Sequence, residues 1–212
     1  MRRSPVLVLL LLVLAACSGP AGRSSGGPAG PSSAGRPGTP AIPSTPPATA
    51  SQPPEVAALL SRAMRLPSLA PGATCPRNAP TSHSPVVQEA DATGYGAAPL
   101  FPISMYMNFD ATLHLSDTTP GPDGLYNVKV VWANVPYQGP VVVRAGRIDG
   151  PGRGLVRIYD NPDRSVGDAV VFPLTGTVGD WPSGTFVSGA GCYAYQIDGA
   201  AFTEVVVFRV VP

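Results

Sequence analysis

His114 has the neighbours that best suit acid–base chemistry. Asp110 lies four positions before it, Asp117 three positions after it, and Ser116 and Ser104 are close along the chain. A histidine oriented by a carboxylate can activate a serine for hydrolysis when the three groups come within hydrogen-bonding distance. The sequence has no G-x-S-x-G element to hold a serine exposed on a tight turn. We therefore interpret His114 as a solvent-facing strand residue, with a hydrolase that uses His114 and nearby Asp or Ser as the alternative.

One acidic stretch has the side chains that calcium prefers. Oxygen ligands could come from Asp160, Asn161, Asp163 and Asp168. Their spacing differs from that of an EF-hand loop, and Asn and Asp are also ordinary turn formers. The sequence contains no C-x₂-C or H-E-x-x-H motif. We expect no metal site and no cofactor.

Four aromatic residues beside turns are candidates for a binding surface. They are Tyr95, Tyr106, Tyr137 and Trp181. An exposed aromatic platform would suit a glycan or an envelope protein as partner, because aromatic rings supply a large contact area at low entropic cost. The alternative is that these rings pack in the core or against turns.

The charge balance argues against nucleic acid as a partner. The chain has 14 Lys and Arg residues and 13 Asp and Glu residues, for a formal net charge of +1. Binding to a phosphate backbone depends on clustered basic residues, and no basic cluster occurs in the sequence.

The N-terminus has the features of an export signal. Arg2 and Arg3 precede an apolar run at residues 6–14, which is well short of the ~20 residues that span a bilayer. The residues Leu14-Ala15-Ala16-Cys17 resemble a bacterial lipobox. This resemblance implies a lipoprotein signal peptide over residues 1–16 and a lipid on Cys17. It places the protein at the cell membrane, anchored by lipid on the extracytoplasmic face.

The cysteine count agrees with this placement. The chain has three cysteines, Cys17, Cys75 and Cys192, and an odd number in an exported protein leaves one thiol to explain. If Cys17 carries lipid, Cys75 and Cys192 remain to form a disulfide in an oxidising compartment.

The chain divides into a tether and one folded domain. Residues 17–53 are almost entirely Gly, Pro, Ser, Ala and Thr, a composition that predicts a disordered linker. Residues 54–66 read as a short helix, with Pro54 in its first turn and an apolar stripe that includes Val56, Leu59 and Leu60. Residues 67–212 form the remaining domain.

This domain is expected to be all-β. Stretches with period-two alternation occupy residues 125–135, 139–149, 154–160, 168–174 and 184–191, and residues 192–211 read as a hairpin with its turn at or near Asp198-Gly199. Two further strands are expected within residues 98–117. About eight short strands separated by turn signals favour an antiparallel β-sandwich.

Four segments resemble an uncharacterised family of exported proteins from high-GC bacteria. They are LPSLAPGATCP (66–76), YGAAPLFP (95–102), YQGPVVVRAGRIDGPG (137–152) and GAGCYAYQIDGAAFTEVVVFRV (189–210). The resemblance implies export and an immunoglobulin-like sandwich, and no chemistry. Antibody domains have a Tyr two residues before the second cysteine, where this chain has Ala190. We therefore expect the Cys75–Cys192 bridge to tie the N-terminal segment to the penultimate strand.

The expected function is a non-enzymatic binding or structural role in the cell envelope. A secreted envelope hydrolase that uses His114 is the alternative. The sequence specifies neither the ligand nor the oligomeric state.

Overall fold

The structure is a computed structural model that describes residues 52–70, 72–83, 93–97, 99–103, 110–116, 118–158 and 164–212. These residues belong to one compact unit, Thr49–Pro212. The expected signal peptide, Cys17 and the linker up to residue 51 lie outside the described residues.

The described unit contains one short helix and twelve strands. The helix α1 spans Pro54–Leu60. The strands are β1 (Pro80–His83), β2 (Thr93–Tyr95), β3 (Leu100–Pro102), β4 (Thr112–His114), β5 (Tyr126–Asn134), β6 (Gln138–Arg147), β7 (Gly154–Arg157), β8 (Ser165–Val166), β9 (Ala169–Thr175), β10 (Gly179–Val187), β11 (Gly191–Gly199) and β12 (Phe202–Val211).

Two sheets pack face to face as a β-sandwich. The four-stranded sheet has the order β3-β5-β10-β7, and the six-stranded sheet has the order β4-β12-β11-β6-β9-β8. The pair β12–β4 is parallel, and the other paired strands are antiparallel. The expected all-β sandwich is confirmed.

The sheet orders are similar to those of immunoglobulin domains apart from strands β4, β8 and β9. The orders β3-β5-β10-β7 and β12-β11-β6 correspond to the immunoglobulin A-B-E-D and G-F-C arrangements. Strands β9 and β8 extend the second sheet beside β6, as the C′ and C″ strands do in variable domains. Here, however, they follow β7 in the chain instead of preceding it.

Alternating residues of both sheets form the core. Val130 and Trp132 of β5 are fully buried there, and Tyr126 and Val128 pack against the same cluster, as the alternation predicted. The Trp132 indole donates a hydrogen bond to Ser183 Oγ at 2.9 Å. Burying this polar N–H is therefore compensated, since an unpaired group would destabilise the core.

The helix begins where the sequence predicted and ends earlier. It starts at Pro54 and buries Val56 and Leu59, but it ends at Leu60 instead of reaching residue 66. The backbone beyond Ser61 is not helical because the sheet binds it: Arg65 N–H donates to Gln196 Oε1 at 2.6 Å. A distant residue thus overrides the local helical pattern.

The end of the chain forms the expected hairpin. Strands β11 and β12 pair from Gly191–Val210 to Gly199–Phe202, so the turn residues are Ala200 and Ala201. Asp198 lies within β11, where it pairs with Thr203 of β12, and it is fully buried. The short connection keeps both strands at full length on the six-stranded sheet.

The N-terminal segment covers the outer face of the six-stranded sheet. We call residues 54–70 the strap. Its helix packs on Val142, Ala169 and Val171. Farther along, Leu66 and Leu69 pack against the cluster that contains Cys192. The strap therefore forms a third layer across strands β9, β6 and β11.

Candidate functional site

A disulfide joins the segment after the strap to β11. Cys75 and Cys192 are bonded, with their Cα atoms 5.5 Å apart and 117 positions apart in sequence. The expected pairing is confirmed, as is its role in tying the N-terminal segment to the penultimate strand. Cys192 is buried beside Ile148, Ala194 and Val207.

A charged pair supports the backbone at this bridge. The Asp149 carboxylate accepts hydrogen bonds from the Cys192 backbone N–H at 2.9 Å and from Arg147 Nε at 2.6 Å. Burial raises the pKa of Asp149, but these two donors outweigh burial and bring the pKa below its ordinary value. The ionised carboxylate therefore helps to fix β11 at the disulfide.

The four aromatic candidates differ in burial and location. Tyr95 is fully buried in the core, so its ring presents no surface to a ligand. Tyr106 lies outside the described residues. Tyr137 and Trp181 are both half-buried and lie at one end of the sandwich. We call this end, formed by the turns at residues 135–137, 176–178 and 200–201, the loop end.

Sheet registers bring Tyr137 and Trp181 to the loop end. Trp181 pairs with Trp132 near the end of β5, and Tyr137 directly precedes β6. The Tyr137 ring meets Phe202 edge to face at 5.8 Å. The Trp181 ring meets Phe172 in the same manner at 6.1 Å. Both rings thus close the top of the core and expose one part to solvent.

Hydrogen bonds through Asn134 fix the Trp181 side. Asn134 Oδ1 accepts from the Trp181 indole at 2.9 Å, and its Nδ2 donates to the Thr177 carbonyl at 2.7 Å. A Cβ atom at Gly179 would lie 3.1 Å from Asn134 Oδ1, so a larger residue there would require the Asn134 amide to shift slightly. A preorganised ring loses little entropy when it binds a partner.

Two further residues complete the loop-end surface. The Arg164 guanidinium lies 4.8 Å from the centre of the Trp181 ring. Val178 is 45% exposed. The surface therefore combines aromatic, aliphatic and cationic groups, of which the aromatic and arginine side chains are enriched at interface hot spots. Sequence reasoning found Tyr137 and Trp181 but missed Phe202, Val178 and Arg164, since only the strand register places them together.

His114 lies exposed at the end of edge strand β4. The Asp110 carboxylate is engaged elsewhere: Arg77 Nη1 lies 2.9 Å and Arg209 Nη2 lies 3.8 Å from its Oδ2 atom. The nearby Thr112 side chain and Arg77 lower the pKa of Asp110. Asp117 and Ser104 lie outside the described residues, so the hydrolase alternative remains an expectation.

Most of the acidic stretch also falls outside the described residues. This applies to Asp160, Asn161 and Asp163. Asp168 is described, and its carboxylate forms a surface ion pair with Arg153 at 3.2 Å. Within the described ranges, no three His, Cys, Asp or Glu side chains are grouped as a metal site would need.

A buried polar cluster lies under the strap, on the outer face of β6 and β11. Asp198 accepts hydrogen bonds from Arg144 at 2.7 Å, Gln196 at 2.9 Å and Thr203 at 2.7 Å. Arg62 of the strap lies 3.9 Å from Asp198 and donates to the carbonyls of Gly199, Ala200 and Phe202. The alternation of β11, which puts Gln196 and Asp198 on one face, was the available sequence signal for this cluster.

A cavity of about 300 Å³ opens beside this cluster. It is lined by Arg62, Ala63, Arg65, Gln196, Asp198 and Thr203. The polar side chains of Arg62, Gln196, Asp198 and Thr203 that line it are already bonded to one another or to the backbone, as given above. We therefore assign the cluster a structural role in holding the strap.

Comparison of the sequence with known protein families found no match, and comparison with curated proteins found no matching relative. In the part of the chain that the structure describes, no helix combines the length and apolar character needed to cross a membrane.

Proposed function

We propose that the chain is a lipid-anchored protein of the extracytoplasmic membrane face, whose β-sandwich is a non-enzymatic binding module of the cell envelope. The resemblance of the N-terminus to a lipoprotein signal and the resemblance of four segments to exported proteins support this proposal. The expected partner is an envelope protein or a glycan that contacts the loop end.

The pairing of the cysteines is the observation that carries the proposal. Cys75 and Cys192 are joined, and Cys17 is the third cysteine of the sequence. Structural disulfides form and persist in oxidising compartments outside the cytoplasm. Cys17 stands in the lipobox-like motif, so lipidation accounts for the third sulfur. Two acyl chains supply the apolar burial that stable membrane attachment requires.

The loop end supports a binding role. Tyr137 and Trp181 are held by rings and hydrogen bonds of the scaffold, and Val178 lies exposed beside them. Rigid aromatic residues contribute binding energy with little ordering cost.

A Cys17→Ser exchange tests the anchor. The variant is expected to leave the membrane fraction or to accumulate as an unprocessed precursor. A Cys75→Ser/Cys192→Ser variant is the matched control, because it removes two sulfurs from the domain and leaves the anchor in place. Membrane retention of the Cys17→Ser chain at unchanged mass would overturn the proposal.

Crosslinking with mass spectrometry on intact cells tests the binding role. Envelope neighbours should be recovered with the native chain and lost with Tyr137→Ala/Trp181→Ala. Tyr126→Ala is the control, because Tyr126 is also partly buried on the core but starts β5 at the opposite end of the sandwich. Neighbours that persist in the double variant, or turnover of a substrate by the purified domain, would contradict this role.

A further inference from the structure

The strap is held on the sheet by three successive contact zones. Its helix packs on Val142 and Val171, residues 62–65 meet the polar cluster, and Leu66 and Leu69 pack on the apolar patch around Ile148. In the middle zone, the Gln196 side chain forms hydrogen bonds with the strap backbone on both sides of Met64. Gln196 Oε1 accepts from Arg65 N–H at 2.6 Å, and Gln196 Nε2 donates to the Ala63 carbonyl at 3.2 Å.

The strap takes no part in the hydrogen-bond ladder of the sheet. Among its described contacts with the sheet, the bond from Leu69 N–H to the Ile148 carbonyl, 2.7 Å long, is the one that joins backbone to backbone. Removing the strap would leave every strand pair intact. Asp198 would keep the donors Arg144, Gln196 and Thr203, which belong to the sheet itself. The sandwich can therefore persist without the strap, with the polar cluster exposed to water.

We propose that the strap opens from the outer face as one cooperative unit and that the Cys75–Cys192 disulfide stops this opening from spreading into the sandwich. Cooperativity follows from the strap itself. Its helix has seven residues, too few to be stable once it leaves the sheet. Loss of the middle zone also disconnects the two apolar zones. Opening uncovers Val142, Val171 and the polar cluster, so it controls access to this face.

The disulfide lies between the strap and the segment that follows Cys75. That segment is attached to the sheet by a different set of contacts. Beyond Cys75, Asn78 Oδ1 accepts a hydrogen bond from the Val207 N–H at 2.8 Å, and Arg77 pairs with Asp110. These contacts hold the segment to the edge of β12. The covalent bond to Cys192 keeps this segment close to the sheet when residues 54–70 are released. The inference concerns the folded domain alone, so it does not depend on the lipid anchor or on the loop end.

Native-state hydrogen exchange on the folded, oxidised chain tests the proposal. The Leu69 amide should exchange through the strap opening and faster than the amides at the centre of β5, since sub-global units open more often than the whole domain. Gln196→Leu removes the two Gln196 bonds to the strap and one of the three donors to Asp198, and it should accelerate the Leu69 amide roughly tenfold to thirtyfold. The amides of β5 should accelerate by at least the same factor and remain slower than Leu69, because the lost bonds are also absent from the unfolded chain.

Thr185→Val is the matched control. It removes the buried hydrogen bond to Tyr195 between the sheets, so it should accelerate the β5 amides and leave Leu69 unchanged. Acceleration of the Arg65 amide alone in Gln196→Leu would overturn cooperativity. Acceleration of the Leu69 amide by Thr185→Val to the same degree as the β5 amides would overturn independent opening.

Exchange of the Val207 amide shows whether the disulfide limits the opening. This amide should exchange more slowly than the Leu69 amide while the disulfide is intact. In Cys75→Ser/Cys192→Ser it should exchange at a rate close to that of Leu69. If the two amides exchange at the same rate in the oxidised chain, the disulfide does not limit the opening, and that part of the proposal is wrong.

Discussion

The Arg144 guanidinium donates a hydrogen bond to the Asp198 carboxylate at 2.7 Å, and both side chains lie beneath the strap. Asp198 is fully buried and the Arg144 side chain is 12% exposed. A charge in such a place is tolerated only when its partners are present, because desolvation of an unpaired charge is costly.

Removal of one partner should therefore be strongly destabilising. Asp198→Leu is expected to lower the free energy of unfolding by about 3–5 kcal/mol, because Arg144 is left without its carboxylate. Chemical denaturation measures this change. The double variant Arg144→Leu/Asp198→Leu should cost less than the single one.

The surface pair Arg153–Asp168 provides the control for this experiment. Its side chains are 56% and 60% exposed. Asp168→Leu should change the free energy of unfolding by no more than about 1 kcal/mol, because solvent screens an exposed pair. Equal costs for the two exchanges would show that burial of Asp198 is energetically unimportant.

The buried contact between Tyr195 and Thr185 is the second site for a stability test. Their hydroxyls are 2.6 Å apart and both residues are fully buried. Tyr195→Phe should cost about 1–3 kcal/mol, because the Thr185 hydroxyl is left unsatisfied in the core. Adding Thr185→Val should cost less than the sum of the two single exchanges. Additive effects in denaturation experiments would contradict a direct bond.

Removal of the disulfide should lower stability by about 2–5 kcal/mol, because the unfolded chain gains the entropy of a long open loop. The comparison is between the oxidised chain and Cys75→Ser/Cys192→Ser at equal pH and denaturant. A change below about 1 kcal/mol would mean that the denatured chain already holds these segments together.

Acid should weaken the fold partly through Asp149. Arg147 and the Cys192 amide lower its pKa below the ordinary value, despite the opposing effect of burial. A carboxyl with a lowered folded-state pKa stabilises the protein above its unfolded pKa of about 4 and loses this contribution as the pH falls through the folded value.

Asp149→Asn should accordingly reduce stability at pH 7 and flatten the loss of stability between about pH 5 and pH 3. Both chains retain a further acid-sensitive contribution from Asp110, whose pKa is also lowered. The informative quantity is therefore the difference between the two pH profiles. Parallel profiles would show that the Asp149 contacts do not favour the ionised form.

Sequence patterns predicted the parts of the fold that depend on neighbours along the chain. Alternation placed Val130 and Trp132 in the core, and the final hairpin and the disulfide follow from residues visible in the sequence. The end of α1 could not be predicted, because the sheet binds the backbone that follows the helix, and Gln196, which accepts from the Arg65 N–H, lies 131 positions away.

In the candidate site, too, some features could be predicted from the sequence and others depend on distant residues. Tyr137 and Trp181 were identified as aromatic residues beside turns, but Tyr95 has the same setting in sequence and is fully buried. Packing of the two sheets decides between these outcomes. The partners Phe202 and Arg164 come from other strands and connections, so only the register shows that they adjoin Tyr137 and Trp181.

The central claim is that one sulfur carries lipid while the other two close the domain. Mass spectrometry of the mature chain, extracted from membranes and digested without reduction, tests it most directly. We predict an N-terminal peptide that begins at Cys17 and carries acyl chains, together with a linked peptide pair that contains Cys75 and Cys192. An unmodified chain that retains Met1 and has three free thiols would contradict the account.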